Sequence, residues 1–166
     1  NDSVSSFTYG SQLQEVNILL ALGLPDSIDY GLINATYVSD ERAANVTNFG
    51  NVVMNLSLSG YGAEENDGNA MNCTLGATKN ISAEYEVYNL TGSNLGVMVL
   101  GDLNGNYTNL SSSVVVNEFN LDYRRNDTDV YVDDTNSTYW RIYVPVGVAG
   151  SCSGNIVFGA TQGPAT

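Results

Sequence analysis

The groups in this chain best placed for chemistry are asparagine amides. Asparagine is followed two residues later by Ser or Thr eleven times, at Asn1, Asn34, Asn45, Asn55, Asn72, Asn80, Asn89, Asn106, Asn109, Asn126 and Asn136. No proline intervenes, so each side-chain amide is a formal acceptor for an N-linked sugar. Random scatter of Ser and Thr would qualify only roughly three or four asparagines, against the eleven found among twenty-one. The excess points to a protein that crosses a membrane, takes on a dense sugar coat and works outside the cell. A polar, Asn/Ser/Thr-rich surface also generates such triplets by composition alone, and that reading stands beside the functional one.

Little else in the chain is equipped for catalysis. Histidine is absent and Lys79 is the only lysine, which removes the side chains most used as general bases and nucleophiles. Carboxylates remain, and two of them suffice for a glycosidase, but no Asp/Glu pair is set apart by its context. The expectation is a protein that is not an enzyme and needs no cofactor beyond its N-linked glycans. Asp102, Asn104 and Asn106 have the first spacings of a calcium loop, yet Tyr107 stands where glycine is required and Ser113 where an acid is required, which rejects an EF-hand. Asn104-Gly105 reads instead as a hairpin turn. Glu64, Glu65 and Asp67, or Asp127, Asp129, Asp133 and Asp134, could gather a hard cation in surface loops; solvated acidic loops are the plainer account, and no metal site is expected.

Cys73 and Cys152 are the only cysteines. In an oxidising compartment an even count suggests a disulfide, and closing so long a loop is worth about 4 to 5 kcal/mol in the chain-entropy model. An intrachain bridge is the first reading; two buried thiols or a bond between subunits are the alternatives. Two cysteines without histidine cannot build a zinc site.

These groups must be carried by strands. The middle residues of eight triplets are apolar or nearly so, and in a strand residues i and i+2 share one face while i+1 points to the other. Asn and Ser/Thr then face water while the middle residue faces a core. Alternation is clear at Val52 to Ser59, at Tyr139 to Val144 with Trp140, Ile142 and Val144 inward, and at Ile156, Phe158 and Ala160. Glu84 to Leu90, Asn94 to Leu100, Ser113 to Leu121 and Asp129 to Val132 supply further strands. Leu13 to Leu24 fits a helix or an alternating strand and is closed by Pro25. Gly60 to Asn69, Thr91 to Ser93, Gly101 to Asn106, Arg124 to Thr128, Asp133 to Thr138 and Pro145 to Gly154 read as loops. The pattern predicts an all-β fold, an antiparallel β-sandwich of immunoglobulin-like or jelly-roll type with seven to ten strands. At 166 residues it is the size of one domain, divided into a tail over residues 1–12 and a sandwich over 13–166.

Eighteen acidic residues against five basic ones give a net charge of −13, which repels nucleic acid and anionic lipid. The longest apolar run, Val16 to Leu24, is too short to span a bilayer. There is no initiator Met and no charged-then-apolar leader, so the expectation is a secreted product whose signal sequence has been removed.

The runs Ser27-Ile28-Asp29-Tyr30-Gly31 and Ala44 to Val52, with Trp140 to Gly147 and Gly154 to Phe158, are similar to secreted archaeal β-sandwich domains. Heavily glycosylated surface proteins of this build include thread-type pili, in which the N-terminal strand of one subunit completes the sheet of the next. The resemblance implies a pilus-like subunit in which residues 1–12 are the donor strand, with Val4, Phe7 and Tyr9 as its plugs; folding of that tail back onto its own sheet is the alternative. Such a head-to-tail contact does not close on itself and yields a fibre, a homopolymer whose partner is itself. A carbohydrate-binding or adhesin module is the alternative, with exposed Tyr139, Tyr143 and Tyr131 as the candidate platform for a surface or glycan target; an S-layer or sheath component is a third.

Overall fold

The computed structural model describes residues 15–124 and 134–165. Among these residues eleven antiparallel strands make three sheets. The first carries five strands in the order β1 (Leu22–Gly23), β2 (Arg42–Asn48), β9 (Thr135–Ile142), β6 (Glu86–Asn89) and β7 (Thr108–Asn109). The second runs β10 (Val148–Ser153), β4 (Asn69–Gly76), β5 (Asn80–Ser82), and the third β11 (Asn155–Gln162), β3 (Met54–Tyr61), β8 (Val115–Leu121). A 3₁₀ turn (Ala83–Tyr85) leads into β6, and one short helix, α1 (Leu100–Asn106), lies between β6 and β7.

One core joins all three sheets. Ala44 and Val46 of β2, Tyr88 of β6, and Trp140 and Ile142 of β9 face Leu56 and Leu58 of β3, Cys73 of β4, Ile81 of β5, and Phe119 and Leu121 of β8. The five-stranded sheet is thus one layer of a sandwich, and the two three-stranded sheets together supply the other. Trp140 has no exposed surface; its ring packs against Tyr88 and Phe158, and its indole N–H donates to the Thr138 hydroxyl at 2.8 Å. The predicted sandwich is therefore present, and the strands beyond the expected number include two- and three-residue pieces at β1, β5 and β7.

A second, smaller cluster sits on the outer face of the five-stranded sheet, where Val87 packs with Met98, Leu103 and Tyr107. Here the structure departs from the sequence pattern. Asn94 to Leu100 is not a strand: residues 94–99 form an irregular loop, with Met98 turned in and Leu95, Val97 and Val99 turned out. Asn104-Gly105 lies inside α1 rather than at a hairpin turn, because the Asp102 carboxylate caps the backbone N–H of Val99 at 2.9 Å and Leu103 anchors the turn in the small cluster.

Pro145 to Gly154, read as a loop for its glycines, contains β10. The strand is bulged between Ala149 and Cys152, and Gly150 there takes a φ of +82° that other residues adopt only with strain. Gly154 joins β10 to β11 where a Cβ would lie 1.7 Å from the Ala70 carbonyl oxygen, so only glycine lets the chain pass. The ambiguous run from Leu13 resolves over its described part as extended chain, with strand geometry only at Leu22–Gly23. The strand expected at Asp129 to Val132 lies outside the described residues.

Candidate functional site

Nine of the eleven glycan acceptors fall within the described residues, and none of the nine is buried. Asn45, Asn55, Asn72, Asn80, Asn89, Asn109 and Asn136 are on strands; Asn34 lies between β1 and β2, and Asn106 ends α1. At Asn45, Asn55, Asn72, Asn80, Asn106 and Asn109 the middle residue of the triplet is buried, being Val46, Leu56, Cys73, Ile81, Tyr107 and Leu110 respectively. That is the alternation expected of a strand with one wet face. Asn136 reverses it: Thr138 is wholly buried, its hydroxyl donating to the Ala44 carbonyl at 2.9 Å, while Ser137 points outward and bonds Asn45 Oδ1 at 2.7 Å. Asn55 has a second task, since its Oδ1 accepts the N–H groups of Phe119 and Asn120 at 2.9 Å each and holds the bulge between β3 and β8. Asn1 and Asn126 lie outside the described residues.

Cys73 and Cys152 form an intrachain disulfide. They stand directly opposite on β4 and β10, 4.0 Å apart at Cα. The N–H of Cys73 points the other way, to the Lys79 carbonyl, so the cysteines occupy the non-hydrogen-bonded, narrow pair position of the ladder, where side chains come closest.

The donor segment expected at residues 1–12, with Val4, Phe7 and Tyr9, lies outside the described residues. The chain immediately after it has a related character. Residues 15–24 run extended along the end of β2, held by Asn51, whose amide N–H donates to the Asn17 carbonyl and whose Oδ1 accepts the Leu19 N–H at 2.8 Å. Val16, Ile18, Leu19, Leu20 and Leu24 remain exposed, Val16 to 75%. Apolar side chains in an extended edge segment normally cover or are covered by something.

Residues 24–35 then cross the open side of the sandwich as a strap, anchored by β1 at one end and by the bridge between Val38 and Tyr143 at the other. Two adjoining cavities lie under it. One, of about 250 Å³, is bounded by Leu24, Ile28 and Tyr30 of the strap and by Ile156 and Phe158 of β11, with Glu86 contributing to its wall. The other, of about 450 Å³, lies between Ile28 to Ala35 and the edge of β10 and includes Ile142 and Val144. β10 and β11 are each the last strand of their sheet on this side.

Two buried polar assemblies stand on opposite faces of the five-stranded sheet. In the core, Tyr30 donates its hydroxyl to Glu86 Oε1 at 2.7 Å. Burial pushes the Glu86 carboxyl up to about 7 against the opposing influence of that hydrogen bond, and burial beside Glu86 pushes the Tyr30 phenol well above its usual range. On the outer face, Arg141 is buried and donates Nε to the Tyr107 hydroxyl, Nη1 to the Ser39 carbonyl, and Nη2 to the carbonyls of Asn94 and Gly96. Glu41 completes this network, accepting from Ser93, Tyr107 and the Asn94 N–H. Burial pushes the Glu41 carboxyl up, but those hydrogen bonds and the Arg141 charge outweigh it and hold it below its usual value.

Neither assembly presents a nucleophile and a base to an open cleft. Of the tyrosines proposed as a sugar platform, Tyr143 is half-buried and packs against Tyr85 in a tilted contact with ring centres 5.2 Å apart, and Tyr139 is half-buried; Tyr131 lies outside the described residues. Asp67 turns its carboxylate into its own loop, where four backbone N–H groups, from Asn69, Ala63, Gly62 and Glu64, hold its pKa far below the usual range. Glu64 and Glu65 point to water. Among the described residues no group of three or more Asp, Glu, Cys or His side chains is placed to hold a metal ion, and no helix is long and apolar enough to cross a membrane. Asp134 is buried, and Asp127, Asp129 and Asp133 lie outside the described residues.

Sequence reasoning missed the strap, the Glu86 and Tyr30 pair, and the Arg141 network. Glu86 stands in the short run Glu84-Tyr85-Glu86-Val87-Tyr88, where its only signal is the parity it shares with Tyr88. Comparison with family models, with curated proteins and with solved structures finds no match to this chain.

Proposed function

We propose that the protein is a structural subunit of an extracellular, N-glycosylated filament of the pilus type, polymerising by donation of an apolar strand between copies, in the manner of archaeal surface threads. The observation that carries this reading is the segment 15–24, whose Val16, Ile18, Leu19 and Leu20 lie along one edge of the sandwich and stay exposed. A chain with a charge of −13 has little reason to leave those side chains bare unless another body covers them. Donated strands work through main-chain hydrogen bonds plus pockets for alternate side chains. The strap cavities beside the edges of β10 and β11, lined by apolar and polar groups together, are spaces that side chains of a donated strand could enter. The acceptor asparagines, distributed over β2 to β7 and β9, would let sugar cover the flanks of each subunit. The work would be mechanical, in adhesion, biofilm or cell-surface architecture.

The test is electron microscopy of the native protein beside the triple variant Val16→Ser, Ile18→Ser, Leu20→Ser. Filaments from the first and folded single subunits from the second are expected. Filaments of equal length from both would remove the segment from the assembly, and single subunits from both would remove the filament.

A further inference from the structure

The strap is held to the body of the sandwich at few points. Over residues 24–35 two hydrogen bonds reach the body among the described residues, and both are made by Tyr30: its hydroxyl to Glu86, and its carbonyl oxygen from Arg42 Nη2 at 3.5 Å. The remaining hydrogen bonds of the segment are local, such as Gly31 N–H to Asp29 Oδ1. Packing is equally concentrated. Tyr30, Ile28 and Ile33 sit on the core, while Leu32 beside them is fully exposed. Beneath the strap are the two cavities, so lifting it breaks no strand pairing and opens a groove along β10 and β11.

The partner of Tyr30 is a carboxyl group on the core face of β6. Glu86 follows the same alternation as Tyr88 and is about as buried as Trp140. The charged groups around it give it no cation. The strap contributes Asp26 and Asp29, the first lining the same cavity. Met71 of β4, and Asn155, Ile156 and Phe158 of β11, carry no charge. Arg42 of β2 reaches the Tyr30 carbonyl rather than the carboxylate, and Arg141 of β9, opposite Val87, points to the other face of the sheet.

We propose that residues 24–35 form a proton-controlled latch: with Glu86 neutral the strap is shut over the groove, and ionisation of Glu86 releases it. A carboxylate in this position is almost wholly buried and has no cation beside it, and opening the strap hydrates it. The Tyr30 hydrogen bond does favour the charged form, but burial outweighs it, as the raised Glu86 value records. This device stands on the strap and the buried Glu86 contact and holds whether or not the protein forms filaments.

The experiment is limited proteolysis of the whole protein with proteinase K at pH 5.5 and pH 8. Cleavage within residues 24–35 is read by mass and divided by the rate for a free peptide of the same sequence. If Glu86 returns to an ordinary carboxyl value when the strap lifts, relative cleavage rises at least about tenfold between the two pH values. E86Q, which keeps the shape and removes the titration, should show no rise. Y30F removes only the latch hydroxyl and should be cut fast already at pH 5.5; it carries the test by itself if E86Q does not fold. Equal strap cleavage at both pH values would overturn the latch. So would an undiminished rise in E86Q, slow cutting of Y30F at pH 5.5, or cuts spread equally through β3 and β9.

Discussion

Asn72 on β4 and Asn80 on β5 stand directly opposite each other across the strand pair. Their following residues, Cys73 and Ile81, both point into the core, so the two amides share one outer face. Sugar on either would cover β5, which is three residues long and the last strand of its sheet, where unpaired backbone most needs protection.

On the proposed glycosylation, replacing both asparagines by glutamine should remove sugar mass from these two peptides and leave the fold nearly untouched, with a change within about 0.5 kcal/mol in urea unfolding. Protease cleavage in residues 69–82 should rise severalfold. A loss of 2 kcal/mol or more would instead make the pair a packing element.

The disulfide carries a different kind of weight. It links strands that are already paired, so its contribution arises in the unfolded chain, where it closes a loop across a separation of 79 residues. The chain-entropy model gives about 4 to 5 kcal/mol. The double variant Cys73→Ala, Cys152→Ala should lose that much in denaturant unfolding, and the reduced native protein should lose the same. A loss under about 1 kcal/mol would mean that native strain or residual unfolded structure cancels the loop term.

The sequence pattern carried the fold wherever large apolar residues alternate without interruption. The pattern of Met54, Leu56 and Leu58 is β3, that of Trp140 and Ile142 is β9, and that of Ile156 and Phe158 is β11. It failed where bulges break the period, as between Asn69 and Met71 in β4 and around Gly150 in β10. It failed again where a loop covers a sheet face. Arg141 was assigned correctly to the outer side of its strand, yet it is buried, because residues 94–107 fold back over that face. A local period reports which side a residue faces and carries no information about what distant chain will cover that side. The Asn-x-Ser/Thr triplets can be found from the sequence because the motif needs only three consecutive residues, and the nine asparagines among the described residues are unburied. The strap and its Glu86 contact cannot be found in that way, since they join positions 56 apart.

Arg141 gives a direct test of that cover. Its guanidinium satisfies the carbonyls of Ser39, Asn94 and Gly96 and lies 5.8 Å from the centre of the Tyr107 ring. Arg141→Lys keeps the charge but loses the planar fork, leaving buried acceptors without donors. It should cost at least about 2 kcal/mol in urea unfolding. A surface arginine on the same strand face would cost close to nothing, and that result would detach the 94–107 region from the sheet.

Stability should also fall as pH rises toward 7, the opposite of what a paired surface carboxylate contributes. Glu86 has its carboxyl raised from 4.5 to about 7 in the folded state, so the folded chain binds that proton more tightly than the unfolded chain. Its stabilising share is fully present below about pH 4.5, shrinks as pH rises, and is gone above about 7. At about 1.4 kcal/mol for each pH unit the whole effect is about 3 kcal/mol. Asp67 and Glu41 act with the opposite sign: their carboxyls are held below the usual values, so what they contribute is present at neutral pH and lost as the solution is acidified past the ordinary carboxyl range. Unfolding midpoints measured from pH 3 to pH 8 should therefore peak near pH 4.5 to 5. The growing net negative charge also weakens the fold as pH rises, and Glu86→Gln separates the two causes. It removes the buried titration but changes the net charge by only one, so the slope between pH 5 and 7 should nearly vanish in the variant. A slope as steep as in the unaltered protein would place its origin in the surface charge and leave the buried carboxyl without a part in it.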